Sequence, residues 1–223
     1  MTELESLYSR HAVRRYKDIE IPQDVCKTLE EEIKKCNLSS GLNIQLIKNE
    51  EKAFNSFIAK YGSFKNVKNY IALVGDKKDE KLDELCGYYG EKLVLLCQSL
   101  GLNTCWVYLS YKAPKGVIEI PRGDKLVIVI ALGYGETQGN VRPSKKFEDV
   151  VVGNNKKPSW FIDGVKAALL APTAINQQKF TIELVGENKV LIKKKPGICT
   201  GIDLGIVKYN FLVGAKKENF EFI

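Results

Sequence analysis

Residues 9 to 16 read SRHAVRRY, which places Arg10, Arg14, Arg15 and the chain's single histidine, His11, within six consecutive positions. Guanidinium forks grip phosphate and carboxylate oxygens bidentately. On an extended or turning backbone, Arg10, His11 and Arg14 could therefore converge on one dianionic group. At the end of a helix the same residues would form a solvated basic face, with Arg10 complementing the helix dipole. Both readings fit the stretch taken alone. Arg15 has no assigned role, because alternation in an extended segment turns it away from Arg14.

Other reactive groupings are scarce. No GxGxxG follows a strand, and GxxxxGK[ST], GxSxG and HExxH are missing, which removes the strongest supports for nucleotide-fold, P-loop, hydrolase-elbow and zinc-protease readings. Six cysteines form no CxxC pair, and with one histidine no zinc-ligand spacing is present. A Cys/His pair using His11 as base is formally possible, without support from spacing. No metal site is expected. An enzyme with so few acid/base groups would lean on a cofactor for the difficult chemistry, leaving the protein to bind and tune it.

The net charge of +7 is spread along the chain and mixed with acidic residues, as in KKDEKLDE (77–84). With no recognised fingerprint beside it, this argues against a nucleic-acid partner. The longest apolar run, LVIVIAL (126–132), is far shorter than a membrane span, and the charged first twenty residues lack a signal-peptide core. A cytoplasmic protein with no membrane partner is expected.

The elements that must position any site follow from periodicity. IPQDVCKTLEEEIKKC (21–36) reads as an amphipathic helix with Pro22 at its first position and Val25, Leu29, Ile33 and Cys36 on one face. LNIQLIK and NYIALVG read as strands, and EKLDELCGYYGEKLVLLCQSL (80–100) as a long apolar helix capped by Gly101. TCWVYL and KLVIVIALGYG read as buried strands, followed by a polar stretch from Glu136 to Pro158. The pattern then restarts: helix 159–171, strands KFTIELV and KVLIKK, helix 201–215 and a terminal FEFI. A helix and short loop precede both IQLI (44–47) and IELV (182–185), which suggests a degenerate repeat packed as a pseudo-dimer. The expected fold is α+β, a central, mostly antiparallel sheet flanked by helices, with a first half at 1–150 and a shorter second half at 151–223.

Three stretches together resemble the FMN-dependent nitroreductase family, over nearly the whole chain. RHAVRRY is similar to the family's Arg-(Arg/His)-Ser-x-(Arg/Lys)-x-(Phe/Tyr) run, with Ala12 in place of serine. LGLNTCWV (100–107) resembles its GLGTCW stretch, with Tyr108 and Leu109 where two glycines often follow. APTAINQQKF (171–180) resembles AP-Ser-x-x-Asn-x-Gln-Pro-Trp, a motif that ordinary members carry in the first quarter of the chain. Each half thus retains a different piece of one site, as in the subgroup of the family whose single chain is a fused, asymmetric counterpart of the usual dimer.

The resemblance implies a nitroreductase-like fold with one FMN per chain at the junction of the halves. By position, Arg10, His11, Ala12 and Arg14 would hold the phosphate and ribityl end, with Arg142 and Lys145 as added phosphate ligands. Trp106, Tyr108 and Leu109 would lie along the ring. Pro172, Thr173, Ala174 and Asn176 would face it from the second half, with Gln178 holding their loop. Trp106 taken alone could equally be a core aromatic. No side chain is assigned as catalytic, since FMN carries the chemistry. The implied activity is ping-pong hydride transfer from NADPH or NADH through FMN to a small-molecule electron acceptor such as a nitroaromatic, a quinone or another flavin. The alternative is a flavin storage or delivery protein. A monomeric pseudo-dimer and a weak homodimer are both compatible with fused halves.

Overall fold

A computed structural model describes residues 1–55, 62–153 and 156–223. Helix α1 (Glu3–Ser9) starts with a capping box. The Thr2 hydroxyl accepts from the Glu5 N–H at 3.2 Å, and the Glu5 carboxylate accepts from the Thr2 N–H at 2.8 Å. The helix stops at Arg10, whose ψ of 128° is extended. The basic run therefore leaves the helix rather than lying on it. It is stitched into the protein by Val13 N–H to the Thr104 carbonyl (3.0 Å) and Tyr16 N–H to the Lys65 carbonyl (3.0 Å). Val13 and Tyr16 are buried, with Arg14 and Arg15 exposed between them.

Helix α2 (Gln23–Ser40) turns Cys26, Leu29, Ile33 and Cys36 inward. Pro22 caps it from just outside, and it runs four residues past the expected Cys36 to stop at Gly41, whose φ of 74° is left-handed. Strands β1 (Asn43–Ile47), β2 (Asn69–Asp76), β3 (Asn103–Val107) and β4 (Asp124–Gly133) form an antiparallel sheet in the order β1-β2-β4-β3. Both central strands are almost wholly apolar because helices cover one face and a second apolar cluster, with Val13, Tyr16, Tyr70 and Val129, covers the other. Helix α3 (Leu82–Ser99) ends as expected at Gly101, which turns at φ 80°. The strand expected over TCWVYL ends at Val107, so Tyr108 and Leu109 lie beyond it.

The expected polar stretch holds two short elements that periodicity misses, α4 (Phe147–Val150) and β5 (Val151–Val152). After α5 (Ser159–Ala168) come β6 (Phe180–Val185), β7 (Lys189–Lys194), α6 (Thr200–Ala215) and β8 (Glu221–Phe222). These later strands form a second sheet, β5-β6-β7-β8, with an antiparallel centre and parallel outer pairs. The fold is α+β, with the antiparallel sheet flanked by helices. Among the described residues, short 3-10 turns aside, the order helix-strand-strand-helix occurs twice, as α2-β1-β2-α3 and as α5-β6-β7-α6.

The two sheets share one core through α3 and α6. An apolar cluster runs from Leu29 and Ile71 through Leu93 to Phe161, Ile182 and Phe211. The helices approach closely enough that a Cβ on Gly87 would lie 2.0 Å from the Ile202 carbonyl oxygen, and one on Gly205 2.0 Å from that of Glu84. Among the described residues, no helix is long and apolar enough to cross a membrane.

Candidate functional site

A cavity of about 250 Å³ opens where the extended basic run, the end of β3, the 140–144 segment, the 169–176 loop and the start of α6 meet. Arg10, His11, Ala12, Arg14, Trp106, Tyr108, Arg142, Pro172, Thr173, Ala174 and Asn176 all line it. Leu109 and Lys145 do not. Leu109 is 72% exposed past the end of β3, and the Lys145 ammonium donates to the Gln178 carbonyl at 2.7 Å. Arg15 points elsewhere, to Glu136 at 3.0 Å.

The cavity is cationic at one end. Among the described residues, Arg10 alone of its three arginines has a carboxylate within ion-pair range, with its Nε 4.0 Å from Oε1 of Glu91. Glu91 is fully buried, and its Oε2 accepts from the Trp106 indole N–H at 3.2 Å. Trp106 therefore lines the cavity while anchored in the core, and a Cβ on Gly90 would fall 2.3 Å from its ring. Burial raises the Glu91 carboxyl to about 7, more than Arg10 and Trp106 lower it. Oriented to satisfy both neighbours, the Asn210 amide donates to Glu91 Oε1 at 3.3 Å and its carbonyl accepts from the Ala171 N–H at 3.2 Å. Cys105 and Cys199 share the cavity with His11, but burial raises both thiols, which disfavours the nucleophilic thiolate. No cluster of potential metal ligands occurs among the described residues.

The opposite wall is strained. Ile175, Asn176 and Gln178 have φ of 47°, 56° and 45°, a left-handed conformation that is especially costly for a β-branched residue. A network imposes it. Asp203 on α6 accepts from the Ala174 N–H at 2.9 Å and from the Gln177 amide at 2.7 Å. The buried Gln178 accepts from the Lys145 N–H (2.7 Å) and donates to the Leu169 carbonyl (2.7 Å) and Ser144 hydroxyl (3.0 Å). The Thr173 hydroxyl accepts from the Gln178 N–H at 3.0 Å, and Asn176 donates to the Pro143 carbonyl at 2.7 Å. Of the two residues expected to offer polar atoms to a ligand, Thr173 thus also bonds within its own loop and Asn176 bonds the 140–144 segment. The result is a fixed wall presenting Pro172 and Ala174, with Ile175 80% exposed beside them.

Sequence reasoning missed Glu91 and Asp203. Each is a charge inside an apolar helix, in YGEKLVLL and GIDLGIV, and that oddity was the available signal. Burial raises the Asp203 carboxyl to about 6 against the pull of Ala174 and Gln177. Asp203→Ala should therefore change global stability by about 1 kcal/mol or less, because the two lost hydrogen bonds are offset by a relieved desolvation cost. The Ala174 amide should exchange roughly tenfold faster, measured by hydrogen exchange. Unchanged protection there would mean that Asp203 does not hold the loop.

A family model described as "Putative TM nitroreductase" matches residues 3–215. Among solved structures, the chain is similar to a "putative nitroreductase" from Thermotoga maritima MSB8, with TM-score 0.71 and 21% identity over 98% of this chain and 85% of that one. A "putative nitroreductase in complex with FMN" from Desulfovibrio desulfuricans gives TM-score 0.57 and 16% identity over 70% and 99%. A "Putative NADH Oxidase" from Clostridium acetobutylicum gives TM-score 0.51 and 18% identity over 67% and 99%. A search of curated proteins finds no match. At these identities the structural likenesses show the shared fold.

Proposed function

The chain belongs to the nitroreductase family whose model spans residues 3–215, and from that membership we propose that it is an FMN-dependent oxidoreductase drawing on NADH or NADPH and reducing a small organic acceptor. One observation carries the reading: three arginines meet apolar walls in a single cavity, and only one of them has a carboxylate partner among the described residues. Such a donor set fits a molecule with an anionic end and a flat apolar body, as FMN has. When bound, FMN would supply two-electron redox chemistry.

The chain's own residues bind and orient. Arg10, Arg14 and Arg142, with His11, would hold the phosphate and add positive potential that favours a reduced, more negative cofactor. Ala12 offers no hydroxyl, so the basic run would act there through its backbone and its arginines. Trp106, Pro172 and Ala174 would exclude water from the flat part. Tyr108 and Ile175, 49% and 80% exposed at the rim, would form the shelf for a planar acceptor such as a nitroaromatic, a quinone or another flavin. We read the two helix-strand-strand-helix orders as fused halves, 1–150 and 151–223, that complete one site per chain. That arrangement would let a single chain work without a partner subunit.

Anaerobic stopped-flow mixing of the FMN-loaded protein with NADH and with NADPH tests this. Bleaching of the flavin absorbance within seconds by at least one of them is expected. FMN-loaded protein that neither nucleotide bleaches would instead be a flavin storage or delivery protein.

A further inference from the structure

The cationic end of the cavity is backed by a carboxylate that binding does not require. Glu91 lies in the interior of α3 with 0% exposure, and glycine at position 90 clears the room in which the Trp106 ring reaches it. Among the described residues, only one charged group faces it. From the extended run comes Arg10, 4.0 Å away; from β3 comes the Trp106 indole, and from α6 the Asn210 amide, neither of which titrates. Among the described residues, the charge of this water-excluded carboxylate is balanced by a single guanidinium, that of Arg10, and Arg10 also lines the cavity.

An anion seated against Arg10 would compete for that positive charge and add a negative one. A buried carboxylate that loses its counter-charge neutralises itself rather than remain ionised without water. Resting on the FMN reading above, we propose that Glu91 takes up one proton from solvent when the anionic end of the cofactor seats against Arg10. The carboxylate becomes a carboxylic acid, Arg10 stays a guanidinium, and the ligand is chemically unchanged. Glu91 is a positioning residue: it acts on the ligand through Arg10.

The proton linkage has a definite sign. Uptake of one proton makes binding weaken tenfold per pH unit once the free protein's carboxyl is ionised. Since burial places that carboxyl at about 7, half ionised at pH 7, FMN affinity should fall about fivefold between pH 7 and pH 8. The second ionisation of the phosphate, near pH 6, gives proton release instead and contributes little at pH 8. His11 and Asp203 also line the cavity. Asp203 and the two cavity thiols lie toward the α6 wall and β3, and do not contact Glu91's carboxylate.

Isothermal titration of FMN at pH 8, in buffers of differing ionisation enthalpy, reads the protons directly. The wild type should take up most of one proton per FMN. His11→Gln should retain that uptake, and Glu91→Gln should lose it while binding FMN up to tenfold more tightly at pH 8 and no differently at pH 6. Should Glu91→Gln fail to fold, infrared difference spectra of wild type carrying isotope-labelled glutamate must show a carboxylic-acid band on FMN addition. FMN binding without proton uptake, uptake that survives Glu91→Gln, or no carboxylic-acid band overturns the inference and leaves the FMN site standing. No FMN binding by wild type overturns both.

Discussion

Gly205→Ala is expected to destabilise the protein by about 3 kcal/mol, at the upper end of overpacking costs. In an ordinary helix interior the same change gains roughly 1 kcal/mol, because alanine is the better helix former. Here the added methyl would stand 2.0 Å from the Glu84 carbonyl oxygen and 2.5 Å from the Tyr88 nitrogen, both backbone atoms of α3. Backbone does not move aside as a side chain does, so the two central helices must separate. Their separation reaches the site at once, since α6 carries Asp203 and Asn210 and α3 carries Glu91. Urea denaturation should show the loss, and FMN affinity should fall with it. A Gly205→Ala protein as stable as wild type would contradict the close helix contact.

Arg14→Ala should act oppositely, on binding rather than on the fold. Arg14 lines the cavity, and its guanidinium has no carboxylate in ion-pair range among the described residues and lies 6.0 Å from the Phe64 ring centre. Removing one member of a charged hydrogen bond costs about 2 kcal/mol, or roughly thirtyfold in the dissociation constant for FMN. Arg15→Ala is the matched control. Its side chain is paired with Glu136 on the surface outside the cavity, and an exposed pair of that kind contributes 1 kcal/mol or less. Equal FMN affinities for the two variants, measured by fluorescence titration, would mean that Arg14 does not hold the flavin's anionic end.

The basic run shows how far local pattern carries. Two conformations fit SRHAVRRY, and what separates them is a long-range contact, the Val13 N–H on the Thr104 carbonyl, which no local periodicity contains. The long helices and buried strands were legible because their apolar faces extend over many residues. Val151 and Val152 were not, since a two-residue strand exists only through its pairing with β6. The family resemblance implies a phosphate ligand at Lys145, but side-chain direction comes from tertiary partners, and Gln178 captures it. Glu91 and Asp203 needed only the question of why an apolar helix carries a charge. That they meet Arg10 and the 174–177 loop required the fold.

One flavin per chain is expected, at the junction of the two sheets' helices and loops. Titrating the purified protein with FMN, and following the shift of the flavin absorption bands, tests it most directly. Saturation at one FMN per chain, with the shift reduced in Arg14→Ala and retained in Arg15→Ala, is the result expected. An unchanged spectrum, or saturation at one FMN per two chains, would contradict it.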